Sequence, residues 1–238
     1  IENCHERTQE EIRALGVNES INGPFADMRK SLYIDFDQPW WSQGFNDVVE
    51  YQGAQFCGLS SALLSQYRFA FVTLFNKELF TNVGQPFLYE AVEDGTWTLD
   101  KQISLVPIFH QDNGNGVQDE EGDIFGFVSC DYVSTDPYWS SCMVDIIKKN
   151  GDGDYEMVFE SSKLFDVCEK TLTLFYGCGN ATYNIKHYGL DDEQNDIRDM
   201  FSEGLGAMAT LRILELENGS IRMGLMGMVD LDAYDYNI

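Results

Sequence analysis

The sequence predicts an α/β protein from three observations: an apolar, β-branched run of strand length at Phe69–Phe75, a series of helix caps and stops directly after it, and further strand-like and helical segments alternating toward the C-terminus. Upstream, Thr8 to Leu15 reads as a short helix ended by Gly16, and the Asn/Gly/Pro-rich stretch to Pro24 as a loop. Pro39 at a first helical position, followed by Trp40, Trp41, Phe45, Val48 and Val49, predicts an amphipathic helix. Phe69–Phe75 is expected to be a buried central strand. Asn76 caps a helix through Phe80, Pro86 starts another through Val92 that Asp94 and Gly95 stop, and Thr98 caps a third carrying Leu99, Ile103 and Val106.

Ile124 to Val128 reads as a strand, and Pro137 to Lys149 as a helix with Trp139, Met143, Ile146 and Ile147 inward. Tyr155 to Phe159 follows as a strand after the Asn150–Gly153 turn, and Ser162 to Phe175 as an amphipathic helix. A loop surrounds Gly177 and Gly179, an acidic helix start follows Leu190, and periodicity leaves Ala207 to Leu216 open between strand and helix.

With 238 residues, 44% of them apolar, the chain can bury a substantial core. Asp and Glu number 40 against 15 Lys and Arg, a net charge of −25 whose field repels phosphate backbones, so no nucleic-acid partner is expected. No run reaches transmembrane length, and Ile1–Cys4 has neither a basic nor an apolar leader region. The six cysteines contain no C-x-x-C pair, which argues against a zinc site. Disulfides are expected instead, with Cys130/Cys142 and Cys168/Cys178 near enough in sequence to close short loops, although connectivity and an all-thiol state both stay open.

Several ordered blocks carry a family resemblance. Tyr33-Ile34-Asp35 with Pro39-Trp40-Trp41, then Phe75–Phe80 with Leu88–Lys101, then Asn113–Gly116 leading to Asp123–Gly126 resemble segments of a bacterial extracellular solute-binding protein (family 1-like) of an ABC importer. Leu211-Arg212 and Gly224–Asp232 fall where that family carries its C-terminal segment, but Gly227, Val229 and Asp230 replace its two prolines and lysine. The resemblance implies a periplasmic-binding-protein type II-like lobe, a mixed sheet flanked by helices, over residues 31–238. Residues 1–30 would be an incomplete N-terminal remnant or linker, and the chain a shortened member. It implies a monomer outside the cytoplasm, tethered or secreted, that captures a sugar or oligosaccharide by lobe closure, delivers it to a membrane permease and performs no bond chemistry. A secreted glycoside hydrolase or carbohydrate-binding module is the alternative.

For a sugar ligand the expected groups are aromatic faces beside polar side chains. Trp40, Trp41, Asp136, Tyr138 and Trp139 are the ligand-binding candidates, with Trp97 a further aromatic; Asp136–Trp139 follows a predicted strand, where α/β crevices bind. Asp112, Asn113, Asn115, Asp119 and Asp123 form an oxygen-rich, glycine-turned loop with a partial calcium-loop pattern, although Gly122 stands at the twelfth position in place of Glu. A metal-free turn held by Asx hydrogen bonds is the competing reading, and calcium the one cofactor considered. His5, His110 and His187 sit in no nucleophile or zinc-protease pattern, phosphate-binding glycine loops are absent, and no catalytic residue is assigned.

Overall fold

A computed structural model describes residues 26–51, 53–118, 122–130, 133–158, 162–185 and 197–214. In chain order its elements are helix α1 (Gln43–Val49), α2 (Leu64–Arg68), strand β1 (Phe71–Phe75), α3 (Lys77–Asn82), α4 (Leu88–Glu93), α5 (Leu99–Phe109), β2 (Phe127–Cys130), α6 (Asp136–Ser141), β3 (Ile147–Lys149), β4 (Tyr155–Met157), α7 (Ser162–Leu172), β5 (Thr182–Ile185), α8 (Ile197–Ser202) and β6 (Met208–Arg212). A π-helical turn, Thr173–Gly177, continues α7. Two compact units result, one holding 26–67 with 146–158 and the other 68–145 with 162–214. Among the described residues no helix is long and apolar enough to cross a membrane.

The larger unit is α/β, with a mixed four-stranded sheet in the order β1-β6-β2-β5. Strand β1 runs antiparallel to β6, pairing Thr73 with Thr210, while β2 is parallel to both β6 and β5. One face packs Phe80, Val106, Phe109, Phe127, Leu174 and Phe175 from helices, sheet and π turn into a single cluster. Val72, Leu74, Val128, Ala209 and Leu211 pack with Ile197, Met200 and Phe201 of α8 on the other. Each fully buried Phe contributes roughly 2–3 kcal/mol, so the helix-rich face supplies much of the unit's stability. Gly126 permits this packing: a Cβ there would stand 1.9 Å from the Val106 carbonyl oxygen, so only glycine lets α5 lie this close to the start of β2.

The smaller unit carries α1 and the antiparallel hairpin β3–β4. Its turn is held by Asn150, whose side-chain oxygen accepts from the amides of Asp152 and Asp154, both at 3.0 Å.

Several caps are where the residues predict them. The Asn76 side chain accepts from Glu78 and Leu79 amides at 3.0 and 3.2 Å, and Thr98 Oγ1 accepts from the Lys101 amide at 3.2 Å. Three elements differ from expectation. β1 is an edge strand of the described sheet with alternating burial, not a central one, because its partner β6 covers one side only. The helix expected from Pro39 begins at Gln43, since Ser42 caps it by accepting from the Phe45 amide at 3.4 Å. The helix expected from Pro137 to Lys149 stops at Ser141; Met143 takes a φ of 51° and is 80% exposed, and Ile147 enters β3. Segment 182–185, for which the sequence sets no expectation, is strand β5, and β6 settles the ambiguous 207–216 segment as extended over Met208–Arg212.

The expected disulfides are absent from the described residues: Cys57, Cys130, Cys142, Cys168 and Cys178 all carry thiols. For Cys168 and Cys178 the cause is geometric. They lie ten residues apart on one nearly continuous helical run, a rise on the order of 15 Å, whereas a bridge needs Cα atoms within roughly 7 Å. Cys4 lies outside the described residues.

Candidate functional site

A cavity of about 250 Å³ opens on the helix-rich face of the larger unit's sheet. Its floor is Phe71 and Thr73 of β1 with Thr210 of β6, and its walls are the first turn of α5 and the segment Pro137–Ser141 of α6. Because β6 is parallel to β2 and α6 follows β2, the cavity sits toward the carboxyl ends of these parallel strands, where α/β folds hold ligands.

The local sequence explains how each side chain gets there. Pro137 stands in the first turn of α6 with its φ already suited to the helix, and Tyr138 follows it inward. The Tyr138 ring meets Phe175 edge-on, centroids 6.2 Å apart and planes at 87°, and Phe175 is presented by the π turn after α7. Thr98 caps α5 so that Leu99 and Gln102 of its first turns line the cavity, and Trp97, just ahead of the cap, is half-buried beside them.

A hydrogen-bond relay runs along the cavity wall. Tyr138 Oη donates to Gln102 Oε1 at 3.1 Å and lies 3.3 Å from Thr210 Oγ1, which is 3.4 Å from Thr73 Oγ1 across the β1–β6 ladder. Each hydroxyl has one proton, so the tyrosine's donation to glutamine orders the relay: Thr73 donates to Thr210, Thr210 to Tyr138, Tyr138 to Gln102. Burial pushes the Tyr138 hydroxyl up to about 12, against weaker opposing effects of its bonds to Thr210 and Gln102. It is therefore a neutral donor at physiological pH. Gln102 is only 3% exposed, and its amide nitrogen has no hydrogen-bond partner among the described residues. The relay thus ends in an unused donor at Gln102 and an available acceptor oxygen at Thr73. None of the eleven lining residues carries a charge.

Of the residues singled out from sequence, Tyr138 lines this cavity, as does Trp97. Asp136 is exposed at the start of α6, and Trp139 is half-buried with its carbonyl accepting from the Val144 amide at 2.9 Å. Trp40 and Trp41 belong to the smaller unit; Trp40 is 48% exposed, and Trp41 packs against Phe36 with centroids 4.8 Å apart. Sequence reading missed Gln102, Thr73 and Thr210. The threonines are ordinary strand residues, but Gln102 carried a signal, being a polar residue on the buried stripe of α5 between Leu99 and Val106.

The oxygen-rich loop is organised by its own backbone. Asp112 Oδ1 accepts from the amides of Gly114 and Gly116 at 2.6 and 3.4 Å, Asn113 Oδ1 from Asn115 at 2.9 Å, and Asn115 Oδ1 from Val117 at 2.7 Å. Buried Asp123 accepts from the Asn113 amide at 2.9 Å, while Gln118 Nε2 donates to the Asn180 and Thr182 carbonyls at 3.2 and 2.9 Å. Asp119 lies outside the described residues. Among those described, no three His, Cys, Asp or Glu side chains gather as metal ligands. His110 Nδ1 lies 3.1 Å from the Ile124 carbonyl oxygen, and His5 and His187 fall outside the described residues.

No protein-family profile matches the chain, and no solved structure does. A curated protein, RNA ligase 1 of Danio rerio, is 25% identical over 123 residues, covering 46% of this chain and 37% of the relative. The chain therefore spans a little over a third of the relative's length.

That similarity corrects several expectations. The relative is named as an enzyme of RNA, so sugar capture for an ABC importer, the hydrolase or carbohydrate-module alternative, the permease partner, and the exclusions of enzyme activity and of nucleic acid are withdrawn. Among the described residues, the aromatic and glycine-rich blocks that carry the family resemblance serve as helix caps, turns and packing. The charge argument excluded more than it can: a net charge describes the mean field, whereas any contact with nucleic acid depends on a local patch.

Proposed function

We propose that this chain is part of an RNA-processing enzyme and that the cavity beside Gln102 and Tyr138 holds a portion of its substrate. The observation that carries this reading is the similarity to an RNA ligase. The cavity supports it in three ways: its place at the carboxyl ends of parallel strands, its uncharged wall, and a buried Gln102 amide nitrogen with no partner among the described residues. Proteins that read RNA by sequence do so mainly on single strands, by hydrogen-bonding and stacking unstacked bases, and an uncharged polar cavity suits that contact. Nothing in this reading needs the periplasmic-binding-protein type II topology that the sequence resemblance implies.

A net charge of −25 shapes how such binding would behave. Affinity would come from local contacts and not from the overall field. Raising salt from about 50 to about 200 mM should therefore weaken RNA binding far less than the roughly 10³–10⁵-fold seen for proteins that neutralise many phosphates. The test is incubation of end-labelled single-stranded RNA with the protein, followed by native and denaturing electrophoresis. Retention of the strand, with or without a change in its length, supports the reading; an RNA neither retained nor altered in length overturns it.

A further inference from the structure

We infer that the cavity accepts a single unstacked nucleobase, with the Gln102 amide nitrogen donating to a ring or carbonyl acceptor and Thr73 Oγ1 accepting from a base N–H. The inference rests on the RNA reading above and gives its site a ligand class.

Size is the first constraint. At about 250 Å³ the cavity falls below the roughly 300–1,000 Å³ typical of drug-sized ligands, so it admits one ring system and not an oligosaccharide or a stacked pair of bases. Charge is the second. Phosphate recognition draws on Arg, Lys or clustered backbone N–H groups, and no charged side chain lines this wall. A neutral group fits it better than a phosphate.

Hydrogen-bond polarity is the third constraint, and the most selective. The relay from Thr73 through Thr210 and Tyr138 to Gln102 has one direction, set by the Tyr138 donation to Gln102 Oε1. It leaves a donor at one end and an acceptor at the other. Every nucleobase carries both a donor and an acceptor among its edge groups, so it can use both kinds of group. Trp97 and Phe71 supply apolar and aromatic lining, on which a flat ring can pack. An aliphatic ligand would leave the buried Gln102 nitrogen unsatisfied, so the site discriminates against it.

The experiment follows tryptophan emission while the protein is titrated separately with the four ribonucleosides, with ribose 5-phosphate and with inorganic phosphate. Trp97→Phe identifies the reporter. Nucleosides should change the emission saturably, ribose 5-phosphate and phosphate should not, and Trp97→Phe should abolish the change. Gln102→Met, similar in volume, should weaken nucleoside binding about tenfold, the loss of one buried hydrogen bond; Thr73→Val, on the half-buried edge strand, is the companion variant if the first folds poorly. Nucleoside affinity unchanged in both variants, or equal binding of ribose 5-phosphate, would overturn the inference. RNA retention without any nucleoside response would overturn the base cavity and leave the RNA reading standing. Nucleoside binding without RNA retention or processing would uphold the cavity's ligand class and remove the RNA reading.

Discussion

The loop from Asp112 to Gln118 and the cavity beside Gln102 are both polar, and they differ in what their polar atoms have left to do. In the loop the side-chain oxygens of Asp112, Asn113 and Asn115 are each accepting from main-chain amides two residues ahead, so the polar groups fold the loop. In the cavity a relay of four side chains ends in a buried amide nitrogen without a partner among the described residues. Polar composition drew attention to the first region, whereas an incomplete hydrogen-bond inventory marks the second. Buried polar groups are nearly always satisfied, so an exception in a cavity points to a ligand more strongly than a row of acids and amides does.

The comparison can be broken most severely at Gly126. Gly126→Ala would force a Cβ against the Val106 carbonyl and push α5, with Gln102, off the sheet. The expected loss is about 3 kcal/mol or more, measured by urea unfolding. A nearly neutral result would mean that α5 does not seat so closely.

Alkaline titration sharpens the account of the relay. Burial raises the Tyr138 hydroxyl to about 12 in the folded protein against an ordinary value of about 10. Above pH 10 the unfolded chain therefore loses this proton first, and stability falls as pH rises. The contribution is fully present below pH 10 and declines by roughly 2–3 kcal/mol by pH 12. Tyr138→Phe should lack this component of the alkaline slope, which paired unfolding curves for the two proteins would show. At neutral pH the same substitution should cost about 1–2 kcal/mol, since Gln102 Oε1 and Thr210 lose their shared partner.

The smallest effect belongs to the loop. Asp112→Ala removes an exposed acceptor of two amides and should cost about 0.5–1 kcal/mol. Because its oxygens already hold the backbone, calcium and chelator should leave the unfolding midpoint of the native protein equal. A calcium-dependent rise would favour the metal reading of this loop instead.

Much of the larger unit was legible from residues whose effects are local. Asn76 and Thr98 cap α3 and α5 through side-chain oxygens, and the spacing of Leu99, Ile103 and Val106 marks the buried stripe of α5. Non-local consequences were not legible. Whether Phe71–Phe75 sits at the edge or centre of the sheet depends on β6, more than a hundred residues away. Strand β5 is only four residues long with Thr and Asn among them, and it is fixed by pairing with β2. The helix after Pro137 was read too long because its apolar spacing continues past Ser141, while Met143 adopts a left-handed backbone that ends it.

The site divides in the same way. Tyr138 was found by its position after a strand and a proline, a sequence-local cue. Thr73 and Thr210 meet only through the β1–β6 register, which sequence does not state. Gln102 lies between the two cases, because a lone amide on an otherwise apolar helix stripe is visible in the sequence and its missing partner only in the fold.

The most direct measurement is retention of labelled single-stranded RNA by the wild-type chain and by Gln102→Met, compared at equal protein concentration in native gels. The account predicts that the wild-type protein retains the strand and that the variant, folded as shown by its unfolding midpoint, retains it about tenfold more weakly. Equal retention by both, or none by the wild type, would contradict it.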